Sequence, residues 1–116
     1  MKGLILLAHG SKAGEYAKVI EEHKNRLEKF GIFDEVKIAY LESEPSLAEI
    51  VKSCKSTIIY IVPLFISYGM HTLEQIPRIV NEIKSKNENK KILLCEPIGT
   101  DPLITYAILN KVFNKL

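Results

Sequence analysis

Four short apolar runs alternate with four amphipathic ones along the chain. "GLILLAH" from Gly3, "EVKIAYL" from Glu35, "STIIYIVPLF" from Ser56 and "KKILLCEP" from Lys90 read as strands. The first, third and fourth are nearly continuous in apolar residues, the pattern of strands covered on both faces. The second alternates, with Val36, Ile38 and Tyr40 on one face and Lys37 and Ala39 on the other. That pattern suits an edge position.

Helical spacing fills the intervals. Residues 13–30 carry Tyr16, Ile20, Leu27 and Phe30 on one stripe, and Gly31 stops the run. In "SEPSLAEIVKSC", Ser46 is a cap, and Glu49 three residues on completes a capping box. Residues 72–86 carry Leu73, Ile76, Ile79, Val80 and Ile83, with Pro77 expected in the first turns, where proline is best tolerated. From Asp101 to Leu116 the pattern predicts a last helix. Asp101 is its cap, Pro102 its first residue, and Leu103, Ala107, Ile108 and Val112 its apolar stripe.

The order is βαβαβαβα, which predicts an α/β fold: one domain over 1–116, a four-stranded parallel sheet doubly wound by helices on both faces. With strand order 2-1-3-4, strands one and three are neighbours and their following helices lie on opposite faces. A crevice then opens at the strands' carboxyl ends, where open α/β sheets bind ligands. His9 ends strand one and His71 closes the loop after strand three, so both would rim that crevice.

Composition narrows the field. The 116 residues suffice for one core, and 47% apolar with 26% charged is ordinary for a globular chain. Sixteen basic against fourteen acidic residues leave +2, too little to argue for nucleic acid, though local basic patches could still meet an acidic small molecule. Cys54 and Cys95 lack CxxC spacing, which argues against a structural zinc site and for small core residues in a reducing compartment. No apolar stretch reaches the roughly 20 residues of a membrane helix, and no signal-peptide pattern opens the chain. A cytoplasmic location is expected.

Candidate chemistry concentrates in two loops. "GSKAGEY" is no P-loop, and neither GxGxxG nor GxSxG occurs. Neutral imidazole suits borderline divalent ions such as cobalt, nickel and zinc. Two histidines from separate loops leave coordination positions open, as a metal to be handed on requires. Each alone is more often a satisfied polar residue at a strand end. His23 falls on the helical stripe between Ile20 and Leu27 and reads as half-buried packing. Glu42 and Glu44 follow strand two; either could reach the crevice, and both suit a solvated loop before a helix start. Gly69 suggests a positive φ or close backbone approach to a flat ligand, with Tyr68 and Met70 as apolar contacts or core.

"LLAHGSK", "ESEPSLAE", "VPLFISYGMHTLEQIP" and "EPIGTDPLI" together resemble the short-form sirohydrochlorin cobaltochelatases, ATP-independent class II chelatases, from the N-terminus through the last helix. P-L-F-x-x-x-G-x-H-T followed by x-x-x-I-P is the most specific part. The resemblance implies insertion of cobalt(II) into sirohydrochlorin on the route to cobalamin, and nickel(II) insertion in archaeal relatives that serve methanogenesis. It implies a homodimer, with metal and tetrapyrrole as substrates and no permanently bound cofactor. His9 matches the catalytic histidine, as proton acceptor and metal ligand, and His71 the second metal-binding histidine. Glu44 and the loop Ile66, Ser67, Tyr68, Gly69, Met70 and His71 match substrate-contacting positions. Lys12 and Arg78 are candidate partners for the substrate's eight carboxylates, and Phe33, Ile104 and Phe113 for a dimer interface. A cobalt or nickel carrier without turnover, or a non-catalytic tetrapyrrole-binding module, are the alternatives.

Overall fold

The computed structural model describes residues 1–10 and 14–116. Its elements run β1 (Lys2–Ala8), α1 (Gly14–Lys29), β2 (Glu35–Tyr40), α2 (Leu47–Ser53), β3 (Ile58–Pro63), α3 (Met70–Lys86), β4 (Lys91–Leu94), a 3₁₀ turn (Ile98–Thr100) and α4 (Pro102–Phe113). The strands form one parallel sheet, as the alternation of elements predicts, and their order is the assumed β2-β1-β3-β4.

Because strand side chains alternate, β1 feeds two cores. Ile5 and Leu7 join Ile59 and Ile61 of β3 beneath Val51 of α2 and Val80 of α3. Leu4 and Leu6 join Val36 and Tyr40 of β2 beneath Ile20 and Leu27 of α1. That two-sided demand explains the continuous apolar run of β1. Each fully buried aliphatic stabilises the fold by about 1.5–3 kcal/mol. α1 and α3 therefore lie on opposite faces, and the crevice opens between β1 and β3.

Local signals hold at the helix ends. Gly31 takes φ 68° after α1. Ser46 and Glu49 form the reciprocal capping box at α2. Asp101 caps α4 by accepting from the Leu103 N–H, with Pro102 at its start. At the opposite end of the sheet from the crevice, Glu35 ties β2 to the segment before β3. It accepts from the backbone N–H groups of Lys55 and Ser56 and from the Ser56 hydroxyl, beside the Lys37 ammonium. Partial burial pushes its pKa up, but those hydrogen bonds outweigh it and lower it from 4.5 to about 2.

Three expectations need correction. α3 begins at Met70, so Pro77 is its eighth residue and lies inside the helix, not in the first turns. Leu73 thereby loses its intrahelical donor; Pro77 is exposed, so water can reach that turn. Next, β3 and β4 are covered on one face only. Ile59, Ile61 and Pro63 are buried, whereas Ile58, Tyr60 and Val62 are half-buried, as is Leu93, the register partner of Tyr60. Finally, the expected core stripe of α4 is not core. Leu103, Ala107, Ile108 and Val112 are all exposed, because none of the described residues packs over them. No helix among the described residues is long and apolar enough to cross a membrane.

Candidate metal and tetrapyrrole site

The backbone ladder continues past the strands and fixes the exits of β1, β2 and β3 together. The Leu64 N–H donates to the Leu7 carbonyl, Leu41 to Ala8 and Glu42 to His9, each at 2.8 Å. His9 is thus the first residue beyond β1, held at the switch point by the bond its own carbonyl accepts. Its Nε2 lies 3.2 Å from Glu42 Oε2, and both side chains are more than half exposed. The Phe65 ring meets the imidazole edge-on at 6.0 Å, and Tyr68 lies 6.4 Å beyond Phe65. One wall of His9 is therefore apolar, while its ring nitrogen faces a carboxylate.

A cavity of about 580 Å³ opens beside this group, a volume suited to one organic ligand. His9, Phe65 and residues 66–69 line one side. Tyr16, Val19 and His23 of α1 line the other. His23 is accordingly not a half-buried packing residue. It is exposed and lines the cavity, with its Nδ1 3.4 Å from the Arg26 guanidinium. Of the predicted stripe, Ile20 is buried and Leu27 half-buried, whereas Tyr16 borders the cavity and Phe30, beyond the end of α1, is exposed.

The predicted site residues divide into two groups. Ile66, Ser67, Tyr68 and Gly69 line the cavity with His9. Met70 and His71 lie in the exposed first turn of α3, outside that lining, although Thr72 belongs to it. Gly69 does not use glycine's freedom: φ is −79°, and nothing lies within 4 Å of where a Cβ would be. It serves as the residue preceding α3. Of the two glutamates, Glu42 reaches His9, whereas Glu44 is exposed in the turn that returns the chain, where the Tyr40 N–H donates to the Pro45 carbonyl. Arg78 is exposed on α3, and Lys12 lies outside the described residues.

Among the described residues no three His, Cys, Asp or Glu side chains are gathered as a metal would require. Both cysteines are free, and burial pushes both thiols up, so neither offers a thiolate near neutral pH. One positioning residue escaped the sequence reading. Gly99 presses its backbone against the Phe65 and Ile66 carbonyls, and a Cβ there would sit inside the Ile66 carbonyl. Its signal was the glycine in "EPIGTDPLI", but only the folded chain shows what it touches.

Comparison with known proteins identifies the family and the fold. The CbiX family model matches residues 3–115. The sirohydrochlorin cobaltochelatase of Sulfurisphaera tokodaii is 35% identical over 97% of this chain and 92% of its own. Among solved structures, a putative cobalamin biosynthesis CbiX protein from Marinobacter aquaeolei is 28% identical, with a TM-score of 0.80 over 99% of this chain and 97% of its own. The sirohydrochlorin chelatase SirB of Bacillus subtilis, crystallised with cobalt, shares the fold at 21% identity. It has a TM-score of 0.79, and 97% of this chain matches 50% of that one.

Proposed function

Because this chain belongs to the CbiX family, we propose that it inserts a divalent metal, cobalt and also nickel, into sirohydrochlorin without ATP. Insertion exchanges two pyrrole N–H protons for one ion. The ion must be held with positions open, the protons must be accepted, and the macrocycle must be bent so that its lone pairs reach the metal.

His9 is the residue for the first two tasks. The observation that carries the reading is its exposed imidazole, which lines the cavity and pairs with Glu42. An imidazole that accepts a pyrrole proton becomes a cation, and a carboxylate 3.2 Å away stabilises that cation at once. Since both groups reach solvent, the proton can pass on to water. His71 is the second metal ligand: it is exposed in the first turn of α3, next to Thr72, which lines the cavity. Ile66, Ser67, Tyr68, Gly69 and Met70 receive the macrocycle, with Tyr68 as its flat apolar contact. Glu44, exposed in the turn after β2, is the further substrate contact. In this reading the enzyme works as a homodimer in the cytoplasm, in cobalamin synthesis and, with nickel, in methanogenesis.

The test is absorbance of sirohydrochlorin mixed with cobalt(II) at substoichiometric protein. A chelatase accelerates the spectral change over many turnovers. A metal carrier or a tetrapyrrole-binding module yields at most one equivalent and would refute the enzyme. His71→Ala should abolish turnover with the fold retained, and His9→Ala should fail more completely. Unimpaired insertion in either variant removes that residue from the site.

A further inference from the structure

We propose that His23 and Arg26 of α1 together hold one peripheral carboxylate of the tetrapyrrole and so set its orientation in the cavity. The inference rests on the reading above that this cavity receives sirohydrochlorin. Its starting point is a mismatch of charge. The substrate carries eight carboxylates, yet among the described residues no Lys or Arg lines the cavity. Arg78, a candidate from the sequence, is exposed on α3 and outside that lining. On the His9 side the neighbouring charge is the Glu42 carboxylate, which repels an anionic side chain.

The α1 flank supplies what the rest of the wall lacks. Tyr16, Val19, Ile20 and His23 line the cavity at three- and four-residue spacing, which is one face of the helix. Arg26, three residues beyond His23, continues that face. Its Nη1 lies 3.4 Å from His23 Nδ1, and its Nη2 lies 3.8 Å from Glu22 Oε2. Two neighbours leave most of the five guanidinium N–H donors free. Arg26 and Glu22 are both more than half exposed, so that pair is weak and yields readily to another carboxylate. The guanidinium can only donate, so His23 Nδ1 accepts, and the neutral ring carries its hydrogen on Nε2. A cavity-lining imidazole N–H beside a permanent cation offers a carboxylate both a hydrogen bond and a charge.

The same neighbour argues against His23 as a second proton acceptor. A ring that takes up a pyrrole proton is helped by a carboxylate beside it, as His9 is by Glu42, whereas His23 has a guanidinium there. The two charges thus polarise the cavity. Glu42 marks the side where protons leave, and Arg26 the side where an acidic edge is held. A macrocycle tethered at α1 presents its pyrrole core to His9 across the cavity.

Titration of metal-free sirohydrochlorin, followed by its fluorescence, tests the tether without any metal insertion. Arg26→Gln should weaken binding by about 3–10-fold, Arg26→Glu by about 10–30-fold and His23→Ala by about threefold or more. His23→Gln, which keeps a side-chain N–H donor, should recover part of the loss. One carboxylate meets both groups, so the His23→Ala/Arg26→Gln double variant should lose less than the product of the single losses. Added salt should weaken wild-type binding more steeply than Arg26→Gln binding. In turnover with cobalt(II), each variant should raise KM with kcat within about twofold of wild type. Both side chains are exposed, so melting temperatures should not move. Unchanged affinity in Arg26→Glu overturns the tether and spares the chelatase. A fall in kcat at constant KM in His23→Ala also overturns it, because His23 would then act in the chemistry. A wild type that does not bind sirohydrochlorin overturns both readings.

Discussion

Glu35→Gln isolates one electrostatic clasp. The carboxylate, 14% exposed, accepts from two backbone N–H groups and one hydroxyl at the sheet end remote from His9. Its pKa falls from 4.5 to about 2. A difference of about 2.5 units corresponds to about 3 kcal/mol of stability from the ionised form. The folded pKa is the depressed one, so this stability is present above pH 4.5. It is lost as the pH falls from about 4.5 towards 2, where the folded state also takes up the proton. Urea unfolding followed by circular dichroism is the assay. At pH 7 the variant should unfold with a free energy lower by about 2–3 kcal/mol, and by pH 2.5 the gap should close to about 0.8 kcal/mol. A gap equally large at both pH values would mean that packing, not charge, holds the segment. No gap at pH 7 would mean that water serves the two N–H groups as well as the carboxylate does. Chelatase turnover at pH 7 should be unchanged in the folded variant, because the clasp and the cavity lie at opposite ends of the strands.

The other predictions concern the site. Glu42→Gln should lower kcat by about 10–100-fold with KM little changed, since it removes the anion that stabilises protonated His9, and Glu42→Asp should recover part of the loss. A Gln variant as fast as wild type would leave His9 acting without its partner. Gly99→Ala should push the Phe65–Ile66 backbone outward and reduce kcat/KM by about 100-fold, the scale of an ångström of misplacement. Normal kinetics with a normal melting temperature would show that the loop tolerates the shift. His23→Ala should raise KM for sirohydrochlorin about threefold or more with kcat nearly constant, as loss of a uniform contact requires; an unaltered KM would place the substrate away from α1.

What the sequence determined by itself was everything governed by short-range rules. The apolar runs at Gly3–Ala8 and Ile58–Pro63 marked strands, and the Ser46–Glu49 box, Gly31 and the Asp101–Pro102 pair marked helix ends, because caps and turns depend on neighbours within four residues. Alternation implied a parallel sheet with right-handed crossovers but left the strand order as an assumption; the folded chain has the order β2-β1-β3-β4, and that order puts His9 at the β1–β3 switch point. Tertiary structure alone decided which of Glu42 and Glu44 meets His9, since a two-residue offset in a turn reverses direction and only the ladder bond from Glu42 to His9 selects one. It decided that His23 faces a cavity, because periodicity assigns a side of a helix but not what lies opposite. It also left α4 bare. An apolar stripe states that a helix must be buried, and says nothing of whose surface buries it.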